Sequence, residues 1–584
     1  MGFMQPTPPP FEYEEWRRRP HLERIKVLAQ DWALNGFGTP YFVYLLYVVK
    51  LVLYAGGGLL LISATTAGLG GLGDLGSWWT EPIVFEKAVI WTMLWEVLGL
   101  GAGSLPLTLR FSPMIGGVLY WLRPGTTRLP PWPERVPLTR GTRRTLFDVA
   151  LYAGLIVAAV NLLLSDGIDA SAGSAGRLDP VAVGVLLAFL AALGLRDKVP
   201  FLAARAEIYG NLSIIFLFPL TNLIVAAQLV FICIWWGAAS SKLNHHFPFV
   251  VTVMISNTPW NRWRAAKRRL YRAHPEDLRP SSAGALAAHL GTAMEFTLPL
   301  ILLVSQGGVI GTIAVAGMVI FHLHILSTFP LAVPLEWNIF MIFGLLFLFG
   351  HYGSTSFSTL DDPLLLAILA VTCIGFPLLG NFRPDLVSFL PSMRYYAGNW
   401  ATSQWLFRRD SGAEAKLDAE LVKPAPIVTE QLAKFYEPEL IDVLIHKGLA
   451  FRSMHSHGRA LNGLVQRAVN DVEDYDVREG ELVAGVVLGY NFGDGHFHDQ
   501  RLLAAIQQHC RYRPGEVRVV VLESQAAHVQ RQRYRIFDAA TGLVEEGWVN
   551  VGDMVERQPW LDERPFPVVP VESAAAAPGP VKPA

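Results

Sequence analysis

Cysteine is almost missing from this chain. Cys233, Cys373 and Cys510 stand far apart, which excludes a disulfide framework and a Cys-x-x-Cys metal site. Charge is scarce too. Asp, Glu, Lys and Arg make up 17% of 584 residues, against about a quarter in a soluble domain. The formal net charge of −1 gives no global attraction to nucleic acid, so any charge argument is local. No short apolar core follows Met1; the first forty residues are polar, Pro-rich and basic, which argues against a cleavable signal peptide. The first hydrophobic helix is then expected to act as an uncleaved membrane signal.

Long apolar runs are abundant. Hydrophobic residues make up 52% of the chain and the mean hydropathy is +0.34. A helix that crosses a bilayer needs roughly 20 mostly apolar residues. Segments 41–64, 84–105, 146–165, 180–195, 211–238, 285–304, 308–327 and 362–380 meet that description. Residues 337–350 are short for a span, 247–256 shorter still, and 111–122 reads as interfacial or re-entrant. The expected fold is an all-α polytopic membrane bundle of about 8–10 helices (41–380), followed by a small soluble α/β domain (429–564). Residues 1–40 form an N-terminal segment, 381–428 an amphipathic segment and linker, and 565–584 a disordered Pro/Ala-rich tail.

Basic loops orient the chain. The N-terminal "WRRRPHLERIK", the Arg-rich 122–144 and "NRWRAAKRRLYR" at 261–272 are expected on the cytoplasmic side. Loops 65–83 and 166–179, where Arg177 is the only basic residue, are expected outside. These signs agree if 211–238 runs outward and 247–256 helps bring the chain back, which sets Lys242 near the external face. Both termini are then cytoplasmic and the protein sits in the plasma membrane. In the last third, 428–470 has helical periodicity, and "ELVAGVVLGYNF", "EVRVVVLES" and "RYRIFDAATGLVEEGWVNV" read as strands around a helix at 499–510.

Ionisable residues inside apolar runs mark candidate sites, because a charge at mid-bilayer depth costs roughly 2.5–3.5 kcal/mol on insertion scales. "WWGAASSKLNHHFPF" carries Lys242, His245 and His246, with Lys242 and His246 four apart on one helix face. A desolvated lysine can act as a base or nucleophile; Trp-Trp before Lys-His-His is equally an interfacial belt with a snorkelling lysine. Glu295 lies near the middle of its helix, His322 and His324 in "FHLHI", Glu336 before "WNIFMIF", and Glu86 and Glu96 in the second span. The histidine spacings do not reproduce the repeated boxes of a membrane di-iron enzyme. Asp494, His496 and His498 in "FGDGHFHD", and His455 with His457, are metal candidates if they lie in strands. "FGDGHFHD" reads equally as a turn into a helix capped by Asp499. No metal set is complete and no cofactor is assigned.

Two resemblances extend this reading. "RPHLERIKVLAQDWALNGFGTP", "LNHHFPFVVTVMISNTPWNRW", "PLEWNIFMIFGLLFLFGHYG" and "LGYNFGDGHFHDQRLLAAIQ" resemble a family of actinobacterial multi-pass membrane proteins of unknown function. Over about 205–350, "WWGAASSKLNHH", "MEFTLPLILL" and "VIFHLHILSTFP" follow one another in an order similar to the HTTM superfamily, which includes vitamin K-dependent gamma-carboxylase. That resemblance implies for Lys242 the role of a base acting on a quinone-like molecule. The two histidines after Lys242 depart from that pattern, and the large lumenal domain of the carboxylase has no counterpart here. The expectation is an intramembrane enzyme or binding protein for a lipid-like or quinone-like ligand. Lys242 is then base or anchor, Glu295 its charge partner, and His245, His246 and His322 its assistants. The alternative is a non-enzymatic transport, assembly or scaffold factor that recruits a cytoplasmic protein partner.

Overall fold

The computed structural model describes residues 2–101, 116–171, 173–328, 335–492, 495–560 and 565–571. Among the described residues, six helices are long and apolar enough to cross a membrane: Tyr41–Ala64, Leu146–Leu164, Leu220–Ser241, Ser282–Ser305, Gly308–Thr328 and Pro363–Phe382. Shorter apolar helices, Pro82–Val97, Pro180–Arg196 and Leu335–His351, pack among them. The second expected span ends early, at Val97; Gly99 takes φ +75°, and a Cβ there would stand 2.8 Å from the Cα of Gly117. Residues 102–115, including much of the expected 111–122 segment, lie outside the described residues.

The two ends of the bundle are distinguished by their contacts. At one end, loops 65–83 and 166–179 meet: Ala67 N donates to Asp166 (2.7 Å), Tyr352 Oη to the Thr80 carbonyl (2.9 Å) and Arg177 to the Phe218 carbonyl (3.1 Å). At the other end, the N-terminal segment, loop 122–144 and segment 261–281 all contact the C-terminal part. Tyr13 bonds Asp442, Thr142 Oγ1 bonds Gln508 Oε1 (3.0 Å), and Leu278 N bonds Gln558. The three most basic stretches therefore share one end.

A hairpin, β1 (Tyr271–Ala273) with β2 (Asp277–Pro280), lies at that end. Beyond it stand β3 (Thr402–Arg408), β4 (Tyr475–Glu479), β5 (Val517–Leu522), β6 (Arg531–Asp538), β7 (Gly542–Asn550) and β8 (Val569–Pro570). They form one antiparallel sheet in the order β4-β3-β5-β6-β7-β8. Side chains alternate faces along a strand. Trp405, Phe407, Val519 and Val521 join the core continuous with the bundle. Leu406, Val520, Leu522 and Ile536 join a second core with Trp16, Trp32, Leu449 and Leu464. Burial on both faces explains the unbroken run "VRVVVL". The N-terminal helix His21–Asn35 is part of that second layer: Arg24 pairs with Glu473 (3.0 Å) and Lys447 with Asp31 (3.2 Å).

Three details differ from the sequence expectation. "ELVAGVV" is a helix, Gly480–Leu488, closed by Gly489 at φ +81°. It is buried on nearly all sides, and a short apolar run buried all round has no period that separates helix from strand. The segment 381–428 contains β3, paired on both edges, and residues 409–428 fold onto the sheet through buried Leu417, Leu421 and Ile427. The third difference concerns 211–257. Lys198 reaches the His496 carbonyl at the sheet end, while Phe218 lies at the far end. The chain thus leaves the sheet end through 198–216 and returns through Leu220–Ser241. Helix Phe247–Asn257 packs against the N-terminal helix, with Trp32 Nε1 donating to the Val253 carbonyl at 3.3 Å. Lys242 consequently lies at the sheet end, not near the opposite face.

Candidate functional site

Lys242 caps the C-terminus of its helix, and its side chain is buried. Its Nζ stands 2.5 Å from Glu295 Oε2 on Ser282–Ser305 and 5.6 Å from the centre of the Phe247 ring. A lysine and a carboxylate, each costly alone in hydrocarbon, meet across two helices. The neighbouring contact is also polar: Trp236 Nε1 donates to the Phe296 carbonyl (3.1 Å).

His322 is buried behind this pair. Its Nε2 accepts from Trp235 Nε1 (3.0 Å), so Nδ1 carries the proton and donates to Asn338 Oδ1 (2.8 Å). Both ring nitrogens are occupied, which makes the imidazole neutral and fixed in place. His324 faces another way, beside Trp260, and His245 is exposed.

Two residues before Asn338, the same helix presents Glu336 to a second set of charges. Glu336 Oε1 meets Lys50 Nζ (2.7 Å) and accepts from Trp95 Nε1 (3.2 Å). Arg205 pairs with Glu207 (2.6 Å), and its guanidinium lies 4.2 Å from the Trp337 ring centre and 4.8 Å from that of Phe492. Arg205 holds a left-handed backbone (φ +52°), an uncommon state for a non-glycine residue. Glu96 feels the charges of Glu336, Arg205, Lys50 and Glu207. Glu86, by contrast, is spent on structure, accepting from Leu178 N at 2.6 Å. A layer of paired charges and fixed dipoles therefore crosses the bundle from Glu295 to Glu207. Lys50 stood alone in "LLYVVKLVLY", so the signal for it was present; Arg205 and Glu207 carry none, because they precede an apolar run rather than interrupt it.

His246 belongs to a different place. It is fully buried at the start of Phe247–Asn257, where it touches the C-terminal part. Gln525 donates its amide to the Val529 carbonyl (2.7 Å), so its Oε1 faces His246 Nε2 at 2.8 Å and sets the proton on that nitrogen. His246 Nδ1 is then a lone pair, and it accepts from Ser456 Oγ at 2.7 Å. Burial lowers the His246 imidazole to about 4, which keeps it neutral at pH 7. The His457 ring packs edge-on at 4.9 Å.

The HxH pairs do not lie in strands. His455 precedes helix Ser456–Ala468 without capping it and bonds the Phe451 carbonyl (2.8 Å); His457 lies within that helix and meets Gln532 (3.2 Å). His496 bonds Glu523 (3.0 Å) and His498 bonds Ser403 (2.7 Å), while Asp499 caps Gln500–Cys510 by accepting from Arg501 N (2.8 Å). Asp494 lies outside the described residues. Among the described residues no group of three or more His, Cys, Asp or Glu side chains could hold a metal ion. Burial drives His455 and His498 down to about 3, with Arg452 adding to the effect, and drives Glu479 up to about 7.

Six membrane-length helices with ion pairs sealed among them define an integral membrane protein. Residues 1–571 match the family described as "Transmembrane protein of unknown function (DUF3556)", and the chain belongs to that family. No curated protein and no solved structure matches it.

Proposed function

We propose that this protein binds, and acts on, a lipid-like or quinone-like molecule within the membrane, with Lys242 as its polar anchor. The observation that carries this reading is the Lys242–Glu295 pair, held at 2.5 Å between two otherwise apolar helices. The pairing favours an anchor over a free base: an ammonium already bound to a carboxylate has no lone pair to accept a proton. The order of "SSKLNHH", "MEFTLP" and "FHLHI", similar to the HTTM pattern, supports the same assignment. The gathering of basic stretches at the sheet end supports ten crossings with both termini cytoplasmic.

The test is mass spectrometry of lipids and quinones extracted from purified wild-type protein and from Lys242→Met/Glu295→Leu. An apolar pair of similar volume preserves packing. Loss of a stoichiometric apolar molecule from a variant that keeps its melting temperature is the expected result. An unchanged extract, or none from either protein, removes the anchor reading and leaves the pair a helix lock.

A further inference from the structure

We infer that Ser456, His246 and Gln525 form a nucleophilic site for acyl transfer at the junction of the bundle and the sheet. The chemistry follows from the hydrogen-bond directions. Ser456 Oγ donates to the His246 Nδ1 lone pair (2.7 Å), and His246 Nε2–H donates to Gln525 Oε1 (2.8 Å). A nucleophile, a neutral imidazole base and a third group that fixes the tautomer stand in one line. None of the three is needed to close a helix or a strand ladder, and they come from segments 210 and 279 residues apart.

The surroundings suit an ester. Ser456 is the first residue of helix Ser456–Ala468, whose preceding residue, His455, makes no side-chain cap. Backbone N–H groups of the first turn, with the helix dipole, are thus placed beside Oγ, where an oxyanion would form. Gly458 is required by this corner: a Cβ there would stand 2.0 Å from the Arg452 carbonyl oxygen. The Trp400 ring packs edge-on against His457 at 6.0 Å, and the buried Trp400 Nε1 and Ser524 Oγ have no hydrogen-bond partner among the described residues. Ser524 adjoins Gln525, so polar groups without partners lie next to the line and are available to a bound ester. Phe249, under the Arg459 guanidinium, and Phe451, edge-on to His455, are apolar neighbours of this corner.

In the step this geometry serves, Ser456 Oγ forms a bond to the carbonyl carbon while its proton passes to His246 Nδ1. The ester C–O bond breaks and the alcohol leaves with that proton. Water, or a hydroxyl acceptor, then repeats the sequence in reverse and releases the acyl group from Ser456. Gln525 is a positioning residue. The substrate class is an acyl ester; that its chain is a membrane lipid rests on the function proposed above, whereas the nucleophile does not.

The probe is an alkynyl fluorophosphonate applied to the full chain in detergent, with the adduct mapped by peptide mass spectrometry. Labelling at Ser456 is expected, absent in Ser456→Ala and slowed on the order of a hundredfold or more in His246→Asn. Gln525→Glu, which keeps an acceptor on Nε2, retains labelling and shifts its pH profile to higher pH, because a carboxylate beside Nε2 favours the protonated imidazole, an effect a packing role would not produce. Ser456→Cys, alkylated by iodoacetamide, shows that the position is reached in folded protein. Wild-type protein that is not labelled at Ser456, or is labelled equally fast in His246→Asn, overturns the proposal. Labelling that persists in Lys242→Met/Glu295→Leu, after the extracted lipid is gone, separates the nucleophile from the anchor. Absent labelling with the lipid still bound sinks the nucleophile alone.

Discussion

The charged layer of the bundle and the histidine-rich junction solve the same problem in opposite ways. In the bundle, Lys50 with Glu336, Arg205 with Glu207 and Lys242 with Glu295 meet directly as ion pairs. At the junction, His246, His455 and His498 are buried to the same degree but are neutral and held by neutral partners: Ser456 and Gln525, the Phe451 carbonyl, and Ser403. A permanent charge in apolar surroundings needs an opposite charge; an imidazole can give its charge up. The first arrangement breaks when a partner is removed, and the second breaks when protons are added.

The largest effects are expected in the bundle. Glu336→Gln removes the carboxylate that meets Lys50 directly, and breaking a buried pair by removing one partner costs about 3–5 kcal/mol. Thermal unfolding of the detergent-solubilised protein should register it as a large fall in melting temperature or in the yield of monodisperse protein. Lys242→Met alone should cost a similar amount, while Lys242→Met/Glu295→Leu returns close to wild type, since apolar replacement of a whole pair is often neutral. Equal stability of the single and double variants would show that the two side chains do not depend on each other.

Acidification should reach the junction next. Below about pH 6.5, unfolded histidines take up protons that His246, His455 and His498, lowered to about 4, about 3 and about 3, refuse while folded. Stability present above pH 6.5 is therefore lost as pH falls toward those values, and His457, lowered as well, adds in the same sense. Glu479, raised to about 7, opposes this by binding its proton early in the folded state. The net loss between pH 7.5 and pH 5 is on the order of 3 kcal/mol. Melting curves at the two pH values test it; a rise in melting temperature on acidification would contradict the neutral-histidine account. The smallest effect belongs to neither region. Thr145→Ala removes the side chain that accepts from Asp148 N at the start of Leu146–Leu164 and should cost about 1 kcal/mol.

How much of this was legible depends on range along the chain. Runs such as "YFVYLLYVVKLVLY" announce helices because period and length are local. The Asp499 cap was readable because it acts within two residues, on Arg501 N. "ELVAGVV" misled because Val and Leu on every side of a short buried helix look like a buried strand. The direction of 211–257 was misread because Lys198–Phe216, broken by a π-turn at Ala206–Gly210, does not look like a crossing. Lys242 and Glu295 were both visible as ionisable residues in apolar surroundings. Ser456 was invisible, since one serine in "MHSHGR" is chemically silent until a base is placed beside it.

Composition and run length by themselves determined that this is a multi-pass membrane protein, because scarce charge and long apolar segments leave no aqueous fold open to most of the chain. The tertiary structure alone decided which charges meet. Lys242 and Glu295 are 53 residues apart, and His246 and Ser456 are 210 apart. Local patterns set the face a side chain occupies on its own helix; which partner that face receives is settled only when helices and sheet pack together, where each buried polar atom must find its complement.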